Sequence, residues 1–154
     1  MLTKVVIANR GEIAVRIVRA CAEMGIKSVA VYAEADRYAL HVRKSDEAYS
    51  LGPDTDTGYL NAHHLVNVAV ETGCDAFHPG YGFLSENPEL AAICQRRNIQ
   101  FIGPSSEVIR NMGDKTHARK TMIAAGIPVT PGSEGNVDDL DMAVKVSNKI
   151  GYPV

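Results

Sequence analysis

The residues with the clearest capacity for chemistry in this chain of 154 residues lie in the segment 78–87, which reads HPGYGFLSEN. Its proline and glycines cannot continue a strand or open an ordinary helix. Glycine also lets backbone N–H and C=O groups approach a ligand closely, and Tyr81 and Phe83 add two aromatic rings. The pattern therefore predicts either a stiff turn between a strand and a helix or a loop that contacts a ligand.

A second group of candidate residues surrounds Lys115, at the start of a predicted helix. Lys115, Arg119 and Lys120 place positive charge in or near the first turns, where the helix dipole is also positive. Each such charge costs on the order of 0.3–1 kcal/mol, and the arrangement becomes favourable if an anion docks there. The pattern is compatible with a solvated basic face or with a phosphate site, but the glycine-rich sequence of a P-loop is absent.

The turn after the first predicted strand, residues 9–12, reads NRGE. A dinucleotide-binding turn needs glycines spaced as GxGxxG, so that the pyrophosphate can reach the helix N-terminus. Only Gly11 is present, and the charged residues on either side fill the space that a pyrophosphate needs. Glu34 or Asp36 could imitate the ribose-binding acid, but one acid without the glycines is insufficient. We therefore disfavour NAD and FAD and predict a polar network that faces the active cleft.

Strand and helix patterns alternate over most of the chain. Apolar, largely β-branched runs predict strands at 3–8, 27–32, 47–50, 75–77 and 99–102. Helical spacing of apolar residues predicts helices at 11–24, 59–72 and 88–97. The alternation predicts an α/β fold, an open and mostly parallel sheet with helices on both faces. For the first helix, we predict an inward stripe of Ile13, Ile17, Ala20, Cys21 and Met24.

The pattern changes after Gly103, because the remaining residues predict helices without strands. A short helix is predicted from Ser105 or Ser106 to 111, and longer helices at 114–125 and 138–150. The final residues, 151–154, look like the entry into a further strand. We therefore predict one domain over residues 1–113 and the truncated beginning of a second over 114–154.

Composition restricts the class of partner. A net charge of −2 argues against nucleic acid and anionic membranes as partners, and no apolar run has the length of a membrane span. Neither a signal peptide nor an Arg-rich transit segment is visible, so we expect a cytoplasmic protein of bacterial type. The three cysteines are expected to be reduced and buried. His63 and His64 are expected at the surface or its boundary, not as metal ligands.

Several motifs together resemble the N-terminal part of the biotin carboxylase family. They are ANRGEIA at 8–14, HPGYGFLSEN at 78–87, FIGPS at 101–105, MGDK at 112–115 and VTPGS at 129–133, where Thr130 departs mildly from the family pattern. The resemblance covers the whole chain. It implies a Rossmann-like (pre-ATP-grasp) domain, followed by the truncated start of an ATP-grasp domain.

The resemblance also implies a reaction. Biotin carboxylases use ATP and bicarbonate to form carboxyphosphate and carboxylate N1′ of biotin on a carrier protein, with Mg²⁺ (or Mn²⁺) neutralising the phosphates. It assigns Lys115 to the ATP phosphates, and Tyr81 and Gly82 to the biotin side of the cleft. It implies no catalytic or metal-binding residue within these 154 residues, so we expect the fragment alone to be inactive.

The expected partners are a biotin carboxyl carrier protein or domain and a carboxyltransferase component. Acetyl-CoA carboxylase and fatty acid biosynthesis form one expected context, and the N-terminal part of pyruvate carboxylase or propionyl-CoA carboxylase is the alternative. A different class of function is a non-catalytic Rossmann-like nucleotide-binding module, which the missing glycines disfavour. A further alternative is a fragment that only packs or dimerises.

A charged stripe on the first helix has two interpretations. Glu12 with Arg16 and Arg19 with Glu23 are i,i+4 pairs of opposite sign, which contribute little on a solvated face. Alternatively, each Arg meets a Glu of a second copy across a two-fold interface. Bacterial biotin carboxylases dimerise through this helix, and the resemblance places the contact at Arg16, Arg19 and Glu23.

Overall fold

A computed structural model describes residues 1–53, 58–133, 135 and 137–153. Five strands form one parallel sheet in the order β3-β2-β1-β4-β5. The strands are β1 (Lys4–Ile7), β2 (Lys27–Tyr32), β3 (Glu47–Ser50), β4 (Ala76–His78) and β5 (Gln100–Phe101). The predicted open parallel sheet is confirmed, with shorter strands than expected at β1 and β5.

Four of the described α-helices follow an Asn or Asp whose side chain satisfies their first free N–H groups, whereas α1 and α2 have no such cap. Asn61, Asn87, Asp114 and Asp139 each accept hydrogen bonds from the first turn of the helix that follows. The α-helices are α1 (Gly11–Glu23), α2 (Leu40–Lys44), α3 (Ala62–Glu71), α4 (Pro88–Arg96), α5 (Ser106–Gly113), α6 (Lys115–Ala124) and α7 (Leu140–Ile150). Sequence patterns missed α2 and the 3-10 turn Glu34–Asp36, which are too short to show periodicity.

Alternation along β1 divides the core into two layers. Val6 faces the side that also holds Leu65 of α3 and Leu90 of α4. Val5 and Ile7 face the opposite side, with residues of α1. Helices therefore cover both faces of the sheet, as predicted.

The predicted inward stripe of α1 was correct at Cys21, but its other four residues are less buried than predicted. The fully buried residues of this helix are Ala14, Val15, Val18 and Cys21. Ile13 and Ile17 are only partly buried and Ala20 is exposed, while Met24 is 71% exposed. The buried stripe therefore runs along Ala14, Val15, Val18 and Cys21, whereas the prediction followed the larger side chains of the helix.

The chain divides into two compact units, Met1–Ile109 and Arg110–Val154. The described residues of the second unit contain helices and no strand, and α6 and α7 contain no fully buried residue. The predicted strand entry ends at Val154, which lies outside the described residues. No described helix is long and apolar enough to cross a membrane.

The predicted burial of the three cysteines and the predicted surface or boundary position of His63 and His64 are confirmed. Cys21, Cys74 and Cys94 are free and buried, and burial raises the pKa of the Cys94 thiol to about 12. His63 is exposed and His64 is half-buried.

Candidate functional site

The segment 78–87, which we call the glycine-aromatic loop, follows β4, and the turn 8–10 follows β1, which is the neighbour of β4 in the sheet. From β1 the chain continues to β2 on one side, whereas β4 lies on the other side. The strand order therefore reverses between β1 and β4. In open α/β sheets, ligands bind beyond the carboxyl ends of the strands at such a switch point. The loop and the turn together form the candidate site.

The Asn9 carboxamide joins the two segments. Its Nδ2 donates to the carbonyl oxygens of Pro79 and Tyr81, each at 2.9 Å. Its Oδ1 accepts the N–H of Arg10 at 2.9 Å. Asn9 is 1% exposed, so every hydrogen-bonding group of this buried amide is used within the protein.

Gly80 is required where the loop passes over Asn9. Its φ of +67° lies in the left-handed region, and a Cβ here would lie 2.6 Å from Asn9 Nδ2 and 2.8 Å from Cγ2 of Ile13. Gly82 has a similar φ of +68°, but no heavy atom lies within 4 Å of its Cβ position. The first glycine permits close packing, whereas the second leaves open space beside the backbone.

Polar contacts hold the remainder of the loop. The Gly80 N–H donates to Nδ1 of His78 at 3.0 Å, and burial lowers the pKa of His78, which keeps that nitrogen an acceptor. The Tyr81 hydroxyl donates to Oε1 of Glu12 at 2.6 Å, and this hydrogen bond raises the pKa of Tyr81. The predicted polar network of the turn is confirmed, with the loop as its partner.

An aromatic stack fixes the far end of the loop. The rings of Tyr59 and Phe83 lie 5.3 Å apart and within 5° of parallel. The Arg10 guanidinium carbon lies 5.8 Å from the centre of each ring, a favourable cation–π distance. The stack holds Phe83 at a φ of +45°, a conformation that bulky residues rarely adopt.

Asp36 forms a cluster with Arg10, Tyr59 and Phe83. It accepts the Tyr59 hydroxyl at 2.9 Å and lies 3.4 Å from Nη1 of Arg10. Burial, and then the hydrogen bond to Asp36, raise the pKa of Tyr59. Asp36 therefore serves the cluster instead of acting as a ribose-binding acid, and Glu34 forms an ion pair with Arg37. Sequence reasoning missed the role of Tyr59, because no local pattern links it to Phe83.

His41 of α2 is a second residue that the sequence did not mark. It is fully buried, and neither ring nitrogen has a hydrogen-bond partner among the described residues. Burial lowers its pKa and outweighs the opposing influence of the nearby Val31 carbonyl. Asp36 and Arg10 have smaller influences on this pKa, in opposite directions.

Lys115 lies in the second unit, as the exposed first residue of α6. The Asp114 carboxylate accepts the N–H groups of Thr116 and His117 at 2.9 and 3.0 Å. The hydrogen bond from His117 is the main cause of the lowered pKa of Asp114. This carboxylate occupies the helix N-terminus, so an anion near α6 would be bound by the Lys115 side chain more than by those amides.

Arg119 does not belong to a solvated basic face. It is half-buried and donates to the carbonyl of Thr130. Its guanidinium carbon lies 3.3 Å from the Cβ position of Gly132. It therefore packs the loop at 130–132 against α6, whereas Lys120 is exposed.

The charged stripe of α1 forms neither of its i,i+4 ion pairs in the described part of the chain. Glu12 accepts the Tyr81 hydroxyl instead. Arg16, Arg19 and Glu23 are exposed. Within the described ranges, no cluster of three or more His, Cys, Asp or Glu residues could hold a metal ion.

Comparison with known proteins identifies the family. Residues 1–109 match the family model of the biotin carboxylase N-terminal domain. The chain belongs to the biotin carboxylase family. Residues 114–154 match the ATP-binding domain of the carbamoyl-phosphate synthase L chain. These matches confirm the family resemblance and the partial ATP-binding domain that it implied.

Members of the biotin carboxylase family match the chain at about half of all positions. Biotin carboxylase 1 of Bacillus subtilis is 54% identical over 100% of this chain and 34% of its own length. One pyruvate carboxylase subunit of Methanothermobacter thermautotrophicus is 51% identical, over 100% of this chain and 32% of its own length. The chain thus spans about a third of these relatives.

Solved structures of the same family also match the fold of this chain. One is a biotin carboxylase domain dimer of the Hydrogenobacter thermophilus 2-oxoglutarate carboxylase, in complex with MgADP, ADP and bicarbonate. It is 48% identical, with a TM-score of 0.93, and the match covers 99% of this chain and 34% of that one. Another is the biotin carboxylase subunit of pyruvate carboxylase, 52% identical with a TM-score of 0.85, over 99% and 34% of the two chains.

Alanine at the two loop glycines separates backbone strain from steric overlap. Gly82→Ala should cost about 1–2 kcal/mol, the cost of a left-handed conformation. Gly80→Ala should cost about 1–3 kcal/mol more, because its Cβ also overlaps Asn9 and Ile13. The chain has no tryptophan, so urea unfolding is monitored by far-UV circular dichroism. This experiment gives the free energy of unfolding of each variant. Equal losses for the two variants would contradict the close approach at Gly80.

Proposed function

We propose that this chain forms the amino-terminal part of an ATP-dependent biotin carboxylase, a ligase that carboxylates carrier-bound biotin through carboxyphosphate. The observation that carries the proposal is the glycine-aromatic loop at the switch point, in a chain that matches the family's N-terminal domain over residues 1–109. We propose domains at 1–113 and 114–154. The 154 residues alone, which we assign no catalytic residue, are proposed to be inactive.

Tyr81 and Gly82 are proposed to contact the biotin ring. The Tyr81 side chain is 62% exposed, although its hydroxyl is fixed by Glu12. The open space beside Gly82 lets a flat ring approach the backbone. A rigid support below an accessible surface favours binding of a planar ligand, because little conformational freedom is lost when it docks.

Lys115 is proposed to bind the phosphates of ATP. Its ammonium group is exposed at the start of α6, and residues 114–154 match an ATP-binding domain. Mg²⁺ or Mn²⁺ would neutralise part of the phosphate charge. The described residues contain no metal-binding cluster, so we assign no metal-binding role to them. Bicarbonate is the proposed second substrate, as a structural relative binds MgADP and bicarbonate.

The proposed partners are a biotin carboxyl carrier protein or domain and a carboxyltransferase component. We propose acetyl-CoA carboxylase, fatty acid biosynthesis and the cytoplasm as the context. The amino-terminal part of a pyruvate carboxylase is the second candidate, because one pyruvate carboxylase subunit is 51% identical to this chain. The family match disfavours a non-catalytic nucleotide-binding module.

We also propose that α1 contributes to a homodimer contact through Arg16, Arg19 and Glu23. These side chains are exposed and do not pair along the helix in the described residues, which leaves them available to a second copy. An apolar groove of about 590 Å³ borders Arg16 and is lined by Ile17 and Met24. One structural relative is itself a biotin carboxylase domain dimer.

A chimera tests the proposed function. This chain should replace the matching third of Biotin carboxylase 1 of Bacillus subtilis, with which it shares 54% identity. We expect the chimera to transfer labelled bicarbonate to carrier-bound biotin only when ATP is present, and the unextended chain to transfer none. A folded chimera without carboxylation, measured beside an active parent enzyme, would contradict the proposal.

Lys115→Ala in the chimera should weaken ATP binding by about tenfold or more, because an ion pair with phosphate is lost. Lys120→Ala is the matched control, since Lys120 is exposed on the same helix. Isothermal titration with ATP measures both dissociation constants. Equal affinities of the two variants would remove Lys115 from the phosphate site.

Arg19→Glu in the chimera should convert dimers to monomers at micromolar concentration, because two acidic groups would then face each other across the interface. Arg43→Glu reverses an exposed charge on α2 and serves as the control. Sedimentation velocity distinguishes the two species. A stable dimer of the Arg19 variant would argue against this contact.

A further inference from the structure

The backbone of the glycine-aromatic loop is shaped by a donor from outside the loop. The carbonyls of Pro79 and Tyr81 flank Gly80, and both accept hydrogen bonds from the single Nδ2 atom of Asn9 at 2.9 Å. A buried carbonyl without a donor costs free energy comparable to a lost hydrogen bond. One amide group therefore determines the direction of the chain on both sides of the glycine.

The orientation of this amide is itself fixed. Asn9 Oδ1 accepts the N–H of Arg10 at 2.9 Å, so rotating the carboxamide would place Nδ2 against that N–H and Oδ1 against the two carbonyl oxygens. The Gly80 backbone lies close to this amide, because a Cβ added at residue 80 would lie 2.6 Å from Asn9 Nδ2. The amide thus acts as a rigid spacer between the turn after β1 and the loop after β4.

The fixed Asn9 amide also affects Tyr81 and Gly82, the residues proposed to contact biotin. The Tyr81 carbonyl, which Asn9 holds, belongs to the peptide group that leads directly into Gly82. The Tyr81 side chain is held independently by Glu12 at 2.6 Å. Asn9 therefore controls the backbone at this point, and Glu12 controls the ring.

We propose that Asn9 is a positioning residue for biotin, which sets the Tyr81–Gly82 backbone in its binding conformation through its two N–H donors. This inference rests on the proposed function for its ligand, although the positioning itself does not. Asn9 is 1% exposed, so it acts through the loop and is not a catalytic residue.

Asn9→Asp tests the donors with almost no change in shape. The substitution places a carboxylate oxygen against two carbonyl oxygens and removes both donors. The matched control is Asn61→Asp, because Asn61 only accepts, from the N–H of His64 at 3.0 Å, and Asp is an equally good helix N-cap. If Asn9→Asp does not fold, Asn9→Ser replaces the two N–H donors with one shorter hydroxyl donor without adding charge, with Asn61→Ser as its control.

Two measurements separate positioning from function. In the chain itself, hydrogen–deuterium exchange of peptides spanning residues 79–87 should accelerate in the Asn9 variant and stay unchanged in the Asn61 variant. In the chimera, KM for biotin should rise by about tenfold or more, while KM for ATP stays within about twofold. A residue that merely stabilised the fold would change both KM values or neither.

Unchanged exchange in the loop would overturn the positioning role. Faster exchange with an unchanged KM for biotin would overturn the link to biotin. A chimera that carboxylates nothing even with Asn9 intact would remove the proposed function, and the exchange result would still decide whether Asn9 sets the loop.

Discussion

The buried carboxamide of Asn9 is the interaction on which the rest of the candidate site depends. Two strands that are neighbours in the sheet end beside each other, and the segment that follows β4 brings two carbonyl groups against the buried Asn9 side chain. Asn9 supplies donors to two of these groups and anchors itself on the N–H of Arg10. This arrangement requires glycine at residue 80, because a side chain there would overlap the amide.

The charges of the first unit are arranged around the same junction. Arg10 lies beside two stacked rings and close to Asp36, so a charge that is half exposed gains from both an aromatic and an acidic neighbour. The second unit uses its charges differently, because Asp114 is committed to the first amides of α6 while Lys115 is exposed to solvent.

Sequence patterns predicted the sheet, the order of strands and helices, and the loop at 78–87, because β-branched runs, glycines and prolines act locally. They failed where the determining partner is distant. The inward face of α1 begins at Ala14, a small residue that a pattern of large apolar side chains does not mark. The stack of Tyr59 on Phe83 joins residues far apart in the chain, and the burial of His41 depends on packing that no local pattern contains.

The three thiols are distributed unequally over the two layers of the core. Cys21 lies on the α1 side of the sheet, whereas Cys74 and Cys94 lie on the side of α3 and α4. Burial raises the pKa of all three, and alkylating reagents attack the thiolate, so each cysteine reacts only when its surroundings open. The rate at which each thiol is alkylated therefore reports local opening on its own side of the sheet.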